Sequence, residues 1–121
     1  NGILIKENHI MMVGNVRETI RRAVEGTHHL MRIGIEVTNL DEFDEALDAG
    51  VDVIMLDNMD TDTMKEAVRR AQGCKVVLEA SGNATLGRVR AMAETGVQFV
   101  SVGALTHSAQ AVDMTMLIEH V

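Results

Sequence analysis

The chain has 121 residues, 46% hydrophobic and 24% charged, which are the proportions of one globular domain large enough for a real core. Its formal net charge of −7, with Phe43 and Phe99 as the only aromatics, excludes a general nucleic-acid binder and a base-stacking surface; an anionic small molecule answers to the local field and stays in play. The single cysteine, Cys74, rules out an internal disulfide framework and suits a reducing cytoplasm, and no apolar run reaches membrane-spanning length.

The chain opens at Asn1 with neither an initiator Met nor a signal peptide and enters a strand almost at once, which points to a fragment or processed product. Pro is absent, and nine Met residues serve as flexible core packing.

Ile3, Leu4 and Ile5 predict a first strand, followed by a loop carrying Lys6, Glu7, Asn8 and His9. Asn15 caps a helix predicted over 16–25, with Val16, Ile20, Ala23 and Val24 at helical spacing, and Gly26 stops it. Thr27, His28 and His29 form a loop; histidines adjacent in sequence rarely chelate one ion, so solvated side chains are the reading there. Residues 32–37, RIGIEV, predict the second strand, with Ile33, Ile35 and Val37 on one side and Gly34 and Glu36 on the other. A helix over 40–49 follows, with Asn39 as N-cap and Glu42 three residues on, and Gly50 ends it.

Residues 52–57, DVIMLD, predict a third strand whose nearly continuous apolar run implies burial on both faces. The next helix covers 62–71, with Met64, Ala67, Val68 and Ala71 as its stripe and Gly73 beyond it. In 75–86, KVVLEASGNATL, Val76 to Leu78 make a short strand, Ser81-Gly82-Asn83 is turn chemistry, and Thr85 caps a helix over 86–94. Residues 98–102, QFVSV, predict a fifth strand running into Gly103-Ala104-Leu105-Thr106-His107, and a last helix covers 109–119. Five βα units with short connections specify a single α/β domain over 1–121, with parallel strands and right-handed crossovers.

Polar residues collect at the C-terminal ends of those strands, where parallel α/β folds bind ligands: Lys6, Glu36, Asp57, Ser81-Gly82-Asn83 and Gly103. Glu36 and Asp57 interrupt apolar strands, and a buried carboxylate needs a partner. Two such acids can hold Mg²⁺ or accept hydrogen bonds from sugar hydroxyls, and Lys6 supplies a cation for an acidic substrate. Gly82 and Gly103 offer backbone anion sites. A Lys6–Glu36 or Lys6–Asp57 ion pair without any ligand is the plainer alternative, but five polar strand ends favour a site. His9 and His107 lie in strand-end loops, where each is equally suited to touching a ligand or capping a helix. No Ser-His-Asp spacing, CxxC pair, HExxH or Walker loop is present.

The segments ILIKENHI, IEVTNLDEFDEALDAG, DVIMLDNM, LEASGN and ETGVQFVSVGALTHS, in this order and spacing, resemble quinolinate phosphoribosyltransferase, the carboxylating nicotinate-nucleotide pyrophosphorylase, over essentially all of the chain. The resemblance implies part of a TIM-like α/β barrel and an enzyme joining quinolinate to 5-phosphoribosyl-1-pyrophosphate with Mg²⁺ present. The products are nicotinate mononucleotide, pyrophosphate and CO₂. It assigns Lys6 to the dicarboxylate and phosphates, and Glu36 and Asp57 to the ribose and the metal. Ser81, Gly82, Asn83, Val102, Gly103 and Ala104 fall in its two phosphate-holding turns. Three departures stand out: Gly34 replaces a further acid of many members, Asn83 replaces a second glycine, and the N-terminal sandwich domain and quinolinate-gripping arginines and histidines of the family have no counterpart among these residues.

Five βα units cannot close an eight-stranded barrel, so an open sheet with its first and fifth strands as edges is expected. The same edges, and the family, point to a homo-oligomer, a dimer or larger, in the cytoplasm. The alternative function is a non-catalytic phosphate-binding or scaffold domain. A flavodoxin-like receiver needs acids after the first strand, where Lys6 stands.

Overall fold

The computed structural model describes residues 2–6, 14–26, 32–83, 85–104 and 112–117. Its elements are β1 (Gly2–Ile5), α1 (Val16–Glu25), β2 (Arg32–Val37), α2 (Leu40–Ala49), β3 (Val53–Asp57), α3 (Thr61–Arg70), β4 (Val77–Asn83), α4 (Leu86–Ala93), β5 (Phe99–Ala104) and β6 (Val112–Leu117). The six strands form one open sheet in the order of the sequence, β1 to β5 parallel and β6 antiparallel to β5.

Each helix begins where a side chain satisfies a backbone N–H that has no partner within the helix. Asn15, Asn39, Asp60 and Thr85 accept from the N–H of Glu18, Glu42, Thr63 and Arg88 respectively. At α2 the Glu42 carboxylate reaches back to the Thr38 N–H at 2.9 Å and hydroxyl at 2.8 Å, one residue earlier than the reciprocal bond of a capping box.

Helices α1 to α4 follow one another between neighbouring parallel strands and pack side by side on the same face of the sheet. That face is the core: Ile35, Val37, Ile54, Leu56, Ala80 and Val100 are fully shielded, packed with Phe43, Met64 and Met92 from the helices. The opposite face carries Glu36, Val53, Met55, Asp57, Val77, Glu79, Ser81, Phe99 and Ser101, all half-buried. The expectation that 52–57 is buried on both faces is therefore corrected. One helical layer covers one side of β3, and its residues alternate between half-buried and buried.

The helix expected over 109–119 is also corrected: residues 112–117 form β6, paired along the free side of β5 from Phe99↔Leu117 to Ala104↔Val112. The sequence VDMTML alternates apolar and polar over its first five residues, and a strand edge left open supplies unmet backbone partners. The edges of the sheet are thus β1 and β6, not β1 and β5. The histidines at 9, 28, 29 and 107 lie outside the described residues. Among the described residues, no helix is long and apolar enough to cross a membrane.

Candidate functional site

The C-terminal ends of the parallel strands bring the polar residues together by register. Lys6 follows β1 directly and is exposed. Leu4 pairs with Gly34, so Lys6 and Glu36, each two residues further on, fall side by side at the ends of β1 and β2. Glu36 pairs with Met55, and Asp57 stands two residues beyond Met55 on β3. The two acids are thus diagonal neighbours on adjacent strands. Gly34 lies one step below on the same face, where a Cβ would reach Val53 at 3.6 Å and Leu4 at 3.7 Å without a clash.

Asp57 pairs in register with Ser81, whose hydroxyl donates to Asp57 Oδ1 at 3.1 Å. The next residue, Asn58, takes the left-handed conformation at φ 54° that asparagine tolerates better than most side chains, and its N–H donates to the Ser81 carbonyl at 2.9 Å. Gly82 lies against it with φ 154°, a backbone open to glycine, and a Cβ added there would sit 3.8 Å from Asn58 Cα.

Ser81, Gly82 and Asn83 are not a turn. They are the last three residues of β4, paired with Ser101, Val102 and Gly103. Val102, Gly103 and Ala104 likewise end β5 and pair on their other side with Met114, Asp113 and Val112. Turn-forming composition is overridden here by pairing with β5, joined at Ser81 by pairing with β3. The predicted phosphate-binding residues therefore keep their place at the strand ends but are extended.

One acid was missed by the sequence reading. Glu79 lies on β4 between Met55 and Phe99 in register, on the same open face, and accepts a hydrogen bond from the Ser101 hydroxyl. The signal that marks Glu36, an acid inside an apolar strand, marks Glu79 equally well. Two hydroxyl–carboxylate pairs, Asp57–Ser81 and Glu79–Ser101, thus stand side by side, because Ser81 and Ser101 are themselves partners in register.

Desolvation pushes the Glu79 carboxyl above the usual range. A group that holds its proton more tightly in the folded state loses stability as the pH rises from the ordinary carboxylate range through the raised value. Glu79→Gln, which stays neutral and keeps an oxygen for Ser101, should melt about 1–3 °C higher than the parent chain at pH 8. The difference should vanish below about pH 4. Melting curves across that range check this, and a less stable variant at pH 8 would show that a cation stabilises the carboxylate.

Among the described residues, no group of three or more His, Cys, Asp or Glu side chains is arranged to hold a metal ion by itself. Glu36 and Asp57 are hard oxygen donors on neighbouring strand ends, a set that suits Mg²⁺ completed by substrate phosphates and water.

Comparison with known proteins agrees with this fold. Residues 1–117 match the family model described as quinolinate phosphoribosyl transferase, C-terminal domain. The chain is 41% identical over 120 residues to a probable carboxylating nicotinate-nucleotide pyrophosphorylase of Methanocaldococcus jannaschii, covering 94% of this chain and 42% of the relative. It is 29% identical to the human nicotinate-nucleotide pyrophosphorylase, covering 94% of this chain and 39% of that protein. The crystal structure of the nicotinate-nucleotide pyrophosphorylase from Ehrlichia chaffeensis superposes with a TM-score of 0.79 at 39% identity, over 84% of this chain and 36% of the other. That from Francisella tularensis gives 0.79 at 39%, over 95% and 41%. The chain therefore spans about two-fifths of the length of the relatives it matches. The open parallel sheet, the order of its strand ends and a match running through 117 residues make the chain a member of the quinolinate phosphoribosyltransferase family, whose C-terminal domain it matches.

Proposed function

We propose that this chain is the catalytic-face portion of an enzyme of NAD biosynthesis. The enzyme transfers the phosphoribosyl group of 5-phosphoribosyl-1-pyrophosphate to the ring nitrogen of quinolinate. The observation that carries the reading is the convergence of Lys6, Glu36 and the Asp57–Ser81 pair at adjacent strand ends on one face of a family-matched sheet. A cation beside two acids and two small-residue strand ends suits a donor that is anionic at its phosphates and rich in hydroxyls at its ribose.

In this reading the ring nitrogen forms a bond to ribose C1 as the bond from C1 to the pyrophosphate oxygen breaks, and pyrophosphate leaves with that electron pair. Glu36 and Asp57 face the ribose as it becomes oxocarbenium-like, and Lys6 neutralises substrate anions. Ser81, Gly82 and Asn83, with Val102, Gly103 and Ala104, line the phosphate region. The pyridinium nitrogen then accepts electrons from the adjacent C–carboxylate bond, CO₂ departs and a proton takes its place on the ring. Glu36 and Asp57 would hold Mg²⁺, which would supply charge neutralisation for the pyrophosphate. Assembly into a dimer or larger homo-oligomer, in the cytoplasm, belongs to the same proposal. The half-buried open face and the edge of β1 are the surfaces that an assembly would cover.

The test is to supply the full-length protein that carries this chain with quinolinate, 5-phosphoribosyl-1-pyrophosphate and Mg²⁺. Nicotinate mononucleotide and CO₂ should appear in equal amounts. A folded protein that binds the phosphoribosyl donor yet forms neither product would instead be the non-catalytic phosphate-binding domain.

A further inference from the structure

The first turns of α1, α2 and α3 carry the acids Glu18, Asp41 and Glu42, and Asp62, which suit the positive end of a helix. The first turn of α4 has no acid and instead carries Arg88. A cation there opposes the helix dipole, so its compensation must come from elsewhere in the fold. The half-buried Arg88 finds it across the chain: Nη2 donates to the Met59 carbonyl at 2.5 Å, a partner 29 residues away. Its charge also acts on Asp60, whose carboxyl is held below the usual range chiefly by hydrogen bonds from Thr63 and, to a smaller degree, by Arg88.

Met59 follows Asp57 and Asn58, and all three are fastened to the β4–α4 region. Asp57 accepts from the Ser81 hydroxyl, and the Asn58 N–H donates to the Ser81 carbonyl and packs on Gly82. The Met59 carbonyl is held by Arg88. Two of these links are made by the strand ends themselves; the third depends on one side chain.

We propose that Arg88 is a positioning residue: by holding the Met59 carbonyl it locks the β3–α3 loop to the start of α4 and so sets Asp57 against the 81–83 strand end. This rests on the phosphoribosyl-transfer reading for its effect on catalysis, since the phosphoribosyl donor is the substrate that touches both parts. Arg88 itself touches neither substrate in this account.

Two measurements on the full-length protein test it. In Arg88→Ala, amide hydrogen exchange in the segment 57–60 should quicken by about tenfold, as one charge-assisted hydrogen bond is lost, while α1 and α2 exchange as before. The KM for the phosphoribosyl donor should rise about tenfold and that for quinolinate stay within about twofold. Arg88→Lys, or millimolar guanidinium added to Arg88→Ala, should recover part of the loss. Unchanged exchange in 57–60 overturns the proposal, and so does a fall in kcat with neither KM moved, which marks a merely structural role. Should Arg88→Ala not fold, Arg88→Gln, with a neutral donor for the carbonyl, carries the same two readouts. If the wild-type protein makes no nicotinate mononucleotide, the transfer reading fails, and the exchange measurement still decides whether Arg88 pins the loop.

Discussion

Asp57→Asn is expected to reduce kcat/KM for phosphoribosyl transfer by roughly 10²–10³ in the full-length protein, the range seen when one preorganised electrostatic group is removed. The substitution preserves shape. An amide oxygen still accepts from the Ser81 hydroxyl, 3.1 Å from Oδ1 in the parent, and the buried layer of β3, Ile54 and Leu56, is untouched. Stability should therefore change little, and the loss isolates the negative charge that the proposed mechanism sets against ribose and metal. Steady-state kinetics at a series of Mg²⁺ concentrations checks this, with half-maximal activity expected at higher Mg²⁺ in the variant. Turnover at the wild-type rate would remove Asp57 from both roles.

The 121-residue chain by itself should bind phosphate or sulfate weakly and make no detectable nicotinate mononucleotide. It keeps Lys6, Glu36, Asp57 and the two strand ends. It spans about two-fifths of its relatives' length, the family resemblance implies that the arginines gripping quinolinate lie outside it, and each such charge-assisted contact contributes about 1.5–3 kcal/mol. Since about 1.4 kcal/mol is a factor of ten, losing several weakens substrate binding by orders of magnitude. The same chain leaves Val53, Met55, Val77 and Phe99 only half-covered and Leu4 39% exposed, so self-association that rises with concentration should accompany the inactivity. Incubation with quinolinate, 5-phosphoribosyl-1-pyrophosphate and Mg²⁺, after sizing of the sample, checks both. Steady CO₂ release from a pure monomer would show that the matched domain suffices.

Local signals were readable wherever local chemistry decides the outcome. Asn15, Asn39 and Thr85 mark their helix starts because each cap bonds an N–H three residues away. The apolar stripe alone starts α3 at 62, and Asp60, which accepts from the Thr63 N–H, sets it at Thr61. Lys6, Glu36 and Asp57 were readable as polar residues ending apolar strands, and register then brings those ends together. What stayed hidden depends on distant partners. Residues 112–117 fit a helix or a strand, and the open side of β5 decides between them. Ser81 to Asn83 have the composition of a turn, and β5 holds them extended, with β3 beside Ser81. Arg88 looks like any surface arginine until Met59 is placed beside it.

The alternation of the strands has an evolutionary corollary. On β3, Ile54 and Leu56 answer to the helices, while Met55 and Asp57 answer to whatever occupies the other side. Selection for folding and selection for chemistry thus act on interleaved letters of the same short word. The open side can therefore change, at Gly34, Glu79 or Ser101, without renegotiating the core. The helix-facing residues are shared infrastructure that a change of substrate leaves in place.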